Sequence, residues 1–176
     1  SRGEYLNAMI IWAYLGYDFV DAAKMIKCDE KGRFMEELTN KEIKKELANH
    51  EKAVIPGFYG SKVDGSVRTF SRGGSDITGA LVARAVEADV YEDWTDVSGF
   101  LMADPRIVDN PKPISTVSYK ELRELSYMGA SVPHEDAIYP ASVANIHINI
   151  RNTNRPQDPG TIITSEPGQL TAGQIL

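Results

Sequence analysis

The sequence predicts an α/β domain with a largely parallel sheet. Two observations carry that expectation. Stretches with strand-like composition alternate with stretches of helical periodicity along most of the 176 residues, the pattern of layered domains in which helices cover a sheet. Three strand candidates also run directly into loops rich in Gly, Asp and Arg, where ligands of such sheets bind. The length suffices for one domain with a substantial core.

Leu6, Met9, Ile10, Ala13 and Tyr14 follow i, i+3, i+4 spacing and predict a first helix ending near Gly16. A short extended piece and irregular chain follow. Thr39 and Glu42 form a capping-box pattern, predicting a polar helix from there to about His50. Residues 52–61, KAVIPGFYGS, read as one buried strand entering a Gly-rich turn. Asp64-Gly65 is a hairpin signal with residues 66–71 as the return strand. A helix is predicted from Ser75 to about Glu87, with Ile77, Leu81, Val82 and Ala85 on one face. Residues 88–94 form the next strand, and 95–115 a long irregular loop of the kind that carries function. Ser118 and Glu121 make a second capping box. A further helix is expected over His134–Asn145, then strands at 146–153 and 160–164.

The composition is 42% hydrophobic and 25% charged, with a formal charge of −6. That balance argues against a nucleic-acid or anionic-membrane surface. Cys28 is the one cysteine, so no internal disulfide can form and a cytoplasmic location is expected. No apolar run approaches the ~20 residues of a membrane span, and no secretory signal opens the chain.

Residues 69–80, TFSRGGSDITGA, concentrate chemistry just before a helix. Paired glycines admit a ligand close to backbone N–H groups. A helix start offers unpaired donors and partial positive charge. Arg72 adds a planar fork suited to a carboxylate or phosphate. Together these suit an anion, and Asp76 does not. The plainer reading makes Ser75 an N-cap and Asp76 a partner of the helix dipole. Neither GxxxxGK[ST] nor GxGxxG occurs. Thr95 and Asp96, expected just past a strand end, and Asp104-Pro105-Arg106 read either as turn formers or as ligand contacts. Glu4 suits the first helix's dipole. His50, His134 and His147 show no metal-ligand spacing with Cys28 or each other. Nothing marks a nucleophile, base and orienter for acyl transfer.

Read together, RGE at 2–4, GFYGS at 57–61, SRGGSD at 71–76, WTDVSGF at 94–100, DPR at 104–106 and MGASVPHEDAIYP at 128–140 closely resemble aspartate kinase, in the amino-acid kinase family. The similarity runs from residue 1 to about 165. The resemblance implies a three-layer αβα sandwich. It implies transfer of the γ-phosphoryl group of ATP, brought with Mg2+, to the side-chain carboxylate of L-aspartate. It also implies that Glu4 meets the substrate ammonium and that Arg72 clamps its α-carboxylate, with Gly73, Gly74 and Ser75 nearby. Phe58 would wall the pocket. Asp76 would organise a catalytic lysine. Thr95, Asp96 and Arg106 would contact the nucleotide, with Leu101 and Ser131 lining the same region. Leu101 and Ser131 stand where many relatives carry tyrosine and lysine.

The same resemblance makes residues 1–165 the larger, C-terminal part of a catalytic domain and 166–176 a linker towards regulatory domains. The whole protein is then expected to be a homo-oligomer with lysine or threonine as feedback effector. The family's Lys-Phe-Gly-Gly segment does not occur in these 176 residues, so this chain alone is expected to show no kinase turnover. Two other readings remain open: a relative acting on glutamate, acetylglutamate, carbamate or a nucleoside monophosphate, and a silent binding module.

Overall fold

The computed structural model describes residues 2–71, 73–103, 107–109, 111–127 and 135–165, with 135 and 136 as backbone only. The chain divides into two compact units, Ser1–Ala88 with Asp136–Pro140, and Asp89–Glu135 with Ala141–Leu176. Both mix helices with short sheets, which is the α/β class expected. Among the described strands, four pairings are parallel and three antiparallel.

The first unit opens with α1 (Arg2–Leu15), ending before Gly16 as the periodicity predicts. Tyr5 and Trp12 meet Phe19 edge-on, with ring centroids 5.4 and 6.1 Å apart. Phe19 belongs to β1 (Asp18–Phe19), which pairs in parallel with β3 (Ala53–Val54). The other side of α1 is apolar too. Leu6, Ile10 and Tyr14 follow one stripe and are 59%, 66% and 83% exposed.

Between β1 and β3 lie α2 (Ala22–Met25), β2 (Lys27–Cys28) and α3 (Glu36–Leu47). Helix α2 departs from the irregular chain expected here and is only four residues long. Its start is fixed by Asp21, whose carboxylate accepts from Ala23 N at 2.9 Å. The capping box expected at Thr39 does not form. Residue 39 is buried inside α3, one turn in, and its Oγ1 accepts from Lys27 N at 3.0 Å. The hydroxyl thus ties α3 to β2 instead of ending a helix.

The single strand expected over 52–61 is two, β3 and β4 (Tyr59–Lys62), because Pro56 lacks a ladder donor and Phe58 turns to φ 80°. The hairpin from β4 to β5 (Val67–Thr69) forms as predicted around Asp64-Gly65. Then comes α4 (Gly74–Ala85). Its apolar face joins Val20, Met25, Ile26, Ile43 and Tyr59 through Leu81 and Ala85. Tyr59 donates to Asp21 at 2.7 Å; burial first, and then the neighbouring carboxylate, push its phenol well above the ordinary value.

The second unit is built on a four-stranded sheet, in the order β6 (Val90–Thr95), β10 (His147–Asn152), β11 (Thr161–Thr164) and β9 (Thr116–Ser118). Register aligns Ile148 with Ile163 and Ile163 with Val117, giving a buried apolar row across three strands. The long loop predicted after β6 holds more order than expected. Within it β7 (Phe100–Leu101) pairs with β8 (Pro113–Ile114), followed by β9. The capping box at Ser118 and Glu121 does form, with all three hydrogen bonds at 2.7–3.1 Å, and opens α5 (Tyr119–Tyr127). The next helix, α6, runs Glu135–Val143 and contributes Asp136–Pro140 to the first unit.

Candidate active site

The Gly-rich corner of the first unit is held by close backbone contact. Gly73 takes φ 68°, a left-handed conformation, and is the N-cap of α4. Ser75 is therefore not the cap; it sits in the first turn and is exposed. Gly73 itself brings no side chain to the first-turn amides, and such amides are the groups that take an anion at a helix start. A Cβ at Gly74 would fall 2.6 Å from the Phe58 ring and 2.8 Å from Phe70. A Cβ at Gly57 would fall 3.1 Å from Ser75 Cα. The loop at 56–58 and the first turn of α4 thus touch along both glycines.

Phe58 is half-buried and carries the strain of this corner at φ 80°. Its N–H donates to Thr78 Oγ1 at 3.1 Å and its carbonyl accepts from Phe70 N at 2.9 Å. Asp76 is partly buried, and desolvation raises its carboxyl above the ordinary range. Glu4 is exposed in the first turn of α1. Arg72 lies outside the described residues.

In the second unit, Thr95 is the last residue of β6 rather than the first beyond it. Its carbonyl accepts from both Thr153 N (2.9 Å) and Thr153 Oγ1 (3.0 Å). Thr95 Oγ1 lies 3.3 Å from the Asp96 carboxylate, which is exposed. Two residues on, Ser98 donates to Asp158 at 2.6 Å and accepts from Asn152 Nδ2 at 3.0 Å. Leu101 is exposed in β7, opposite Pro113. Arg106 and Ser131 lie outside the described residues, as do residues 166–176.

The structure thus gathers Phe58, Gly73, Gly74, Ser75 and Asp76 around one helix start, and Thr95 and Asp96 at one strand end. The sequence reading passed over Thr78, Ser98, Asn152 and Asp158. Its only available signal for Thr78 was a hydroxyl amid the apolar positions of a helix. Among the described residues, no three of His, Cys, Asp or Glu gather where they could hold a metal ion. Nor is any described helix long and apolar enough to cross a membrane.

The chain is 42% identical to aspartokinase 3 of Bacillus subtilis over 175 residues, covering 94% of this chain and 38% of that protein. Against the crystal structure of Clostridium acetobutylicum aspartate kinase, it superposes with a TM-score of 0.88 at 58% identity, covering 97% of this chain and 38% of that one. E. coli aspartokinase III, crystallised with aspartate and ADP, gives 0.82 at 26% identity over 95% of this chain and 40% of that one. The chain therefore spans about two fifths of these relatives. The profile of the amino acid kinase family matches residues 1–152, and the chain belongs to that family.

Proposed function

We propose that this chain is catalytic-domain sequence of an aspartate kinase. The reaction moves the γ-phosphoryl of ATP to the side-chain carboxylate of L-aspartate, giving 4-phospho-L-aspartate, the entry step to lysine, threonine and methionine. The observation that carries this reading is the helix start at Gly73–Asp76, packed on Phe58 and capped by a glycine that brings no side chain of its own. It agrees with the similarity to aspartate kinases over nearly the whole chain.

In this proposal the first unit binds the amino acid. Arg72 and the first-turn amides of α4 take the α-carboxylate, Glu4 takes the ammonium, and Phe58 walls the side chain. The second unit binds the nucleotide through Thr95, Asp96 and Arg106, with Leu101 and Ser131 beside them. The acceptor carboxylate has a reference pKa of about 4, so it is ionised at neutral pH and needs no general base. The work left is positioning and offsetting charge between two anions. Asp76 serves as an organiser of the cationic group that does so. Mg2+ would come with ATP and be ligated mainly by its phosphates. Residues 166–176 lead towards regulatory domains through which lysine or threonine acts, and the whole protein is a homo-oligomer.

Calorimetry of the chain with L-aspartate, L-glutamate and MgATP tests the reading. Aspartate and nucleotide are expected to bind and glutamate not to. A preference for glutamate, or aspartate affinity unchanged by Arg72→Ala, would overturn it.

A further inference from the structure

We propose that Thr78 is a positioning residue for the amino-acid pocket: its hydroxyl locks Phe58 in a left-handed backbone conformation against the first turn of α4. This rests on the pocket assignment above and adds a residue that touches no substrate. Thr78 is 4% exposed. Its Oγ1 donates to Gly74 O at 2.9 Å and accepts from Phe58 N at 3.1 Å. One atom therefore joins the two segments that form the corner.

The plain alternative is a threonine filling space inside a helix. That alternative explains the first bond, since a helical threonine commonly donates to the carbonyl four residues back. It does not explain the second. Valine would fill the same volume with no hydroxyl to satisfy. The second bond leaves the helix and reaches a non-glycine residue at φ 80°, a conformation that persists only where its surroundings hold it. Phe58's carbonyl is held separately by Phe70 N at 2.9 Å, and its ring fills the space that Gly74 leaves open. Removing the hydroxyl frees the Phe58 amide from that restraint. The loop can then relax towards negative φ, swinging the ring off Gly74 and reshaping the wall of the pocket.

The test compares Thr78→Val, which keeps shape and removes the hydroxyl, with Thr78→Ser, which keeps the hydroxyl. Both are measured where urea titration shows each variant folded. Hydrogen exchange at the Phe58 amide is expected to accelerate about tenfold or more in T78V and to return towards wild type in T78S. Aspartate affinity is expected to fall about tenfold in T78V, with recovery in T78S. In a Phe58→Gly background, where φ 80° costs nothing, Thr78→Val should change aspartate affinity far less. Unchanged Phe58 exchange in T78V overturns the proposal. So does an equal loss of affinity with and without Phe58. A wild-type chain that binds no aspartate overturns the pocket assignment itself, and the exchange measurement still decides whether Thr78 holds Phe58.

Discussion

Ser98 Oγ lies 2.6 Å from the carboxylate of Asp158, sixty residues further along the chain. The same hydroxyl accepts from Asn152 Nδ2 at 3.0 Å. Together with the two hydrogen bonds that Thr153 donates to the Thr95 carbonyl, this ties the end of β6 and the segment after it to the turn between β10 and β11. Ser98→Ala should cost about 1–2 kcal/mol, since a hydrogen bond to a charged group is lost and Asn152 loses an acceptor. Urea denaturation reads that cost. Combined with Asp158→Ala the loss should fall short of additive. Under the proposed function, in which Thr95 and Asp96 contact the nucleotide, its affinity should also weaken, because both residues immediately precede the tether.

Gly74→Ala tests the close approach at the corner. Alanine ordinarily favours a helix over glycine by up to about 1 kcal/mol, and less in the first turn. Here its Cβ would meet the Phe58 ring at 2.6 Å and Phe70 at 2.8 Å. Overpacking of that order costs about 1–3 kcal/mol, so net destabilisation is expected. An unchanged urea midpoint would show that the contact yields freely.

Asp76 makes a signed prediction about pH. Burial raises its folded-state pKa above the reference of 3.8. In the window just above that value the native state keeps a proton that the unfolded chain has released. Stability contributed by this group is therefore present at lower pH and lost as pH rises through the window. Asp76→Asn has no such titration. The variant should gain stability relative to wild type as pH rises above the reference value of 3.8, even though the replacement removes the proposed organiser. Parallel pH profiles for the two proteins would contradict this.

The outer stripe of α1 calls for a different measurement. Leu6, Ile10 and Tyr14 are largely exposed, and a row of apolar side chains on a surface binds apolar probes. Replacing Leu6 and Ile10 by glutamine should change unfolding free energy by no more than about 0.5 kcal/mol each. The fluorescence of an added anilinonaphthalene dye should nevertheless drop. A large stability loss would mean that the stripe is covered in solution.

Much of the fold was legible because its signals are local. Helical spacing defined α1, Asp64-Gly65 defined a hairpin, and Ser118 with Glu121 defined the start of α5. Where the reading failed, a long-range contact had overridden a local pattern. Thr39 looked like a cap, yet its hydroxyl serves Lys27, twelve residues earlier. Ser75 looked like a cap, yet the left-handed Gly73 ends the turn first. Strands β7, β8 and β9 are too short to show alternation. The candidate site stands out in the sequence as clusters of residue types, since Gly, Asp and Arg announce themselves by composition. Its supports were not: a serine or threonine hydroxyl has the same letter whether it faces water or bridges two segments.

Cys28, the single thiol, is 3% exposed in β2, and burial raises its pKa. A maleimide or disulfide reagent must therefore wait for β2 to come away from β4. Labelling kinetics at this natural sulfur act as a clock for opening of the first unit, with no introduced tag. Because β4 leads straight from the Phe58 loop, a ligand seated at that loop should slow the clock.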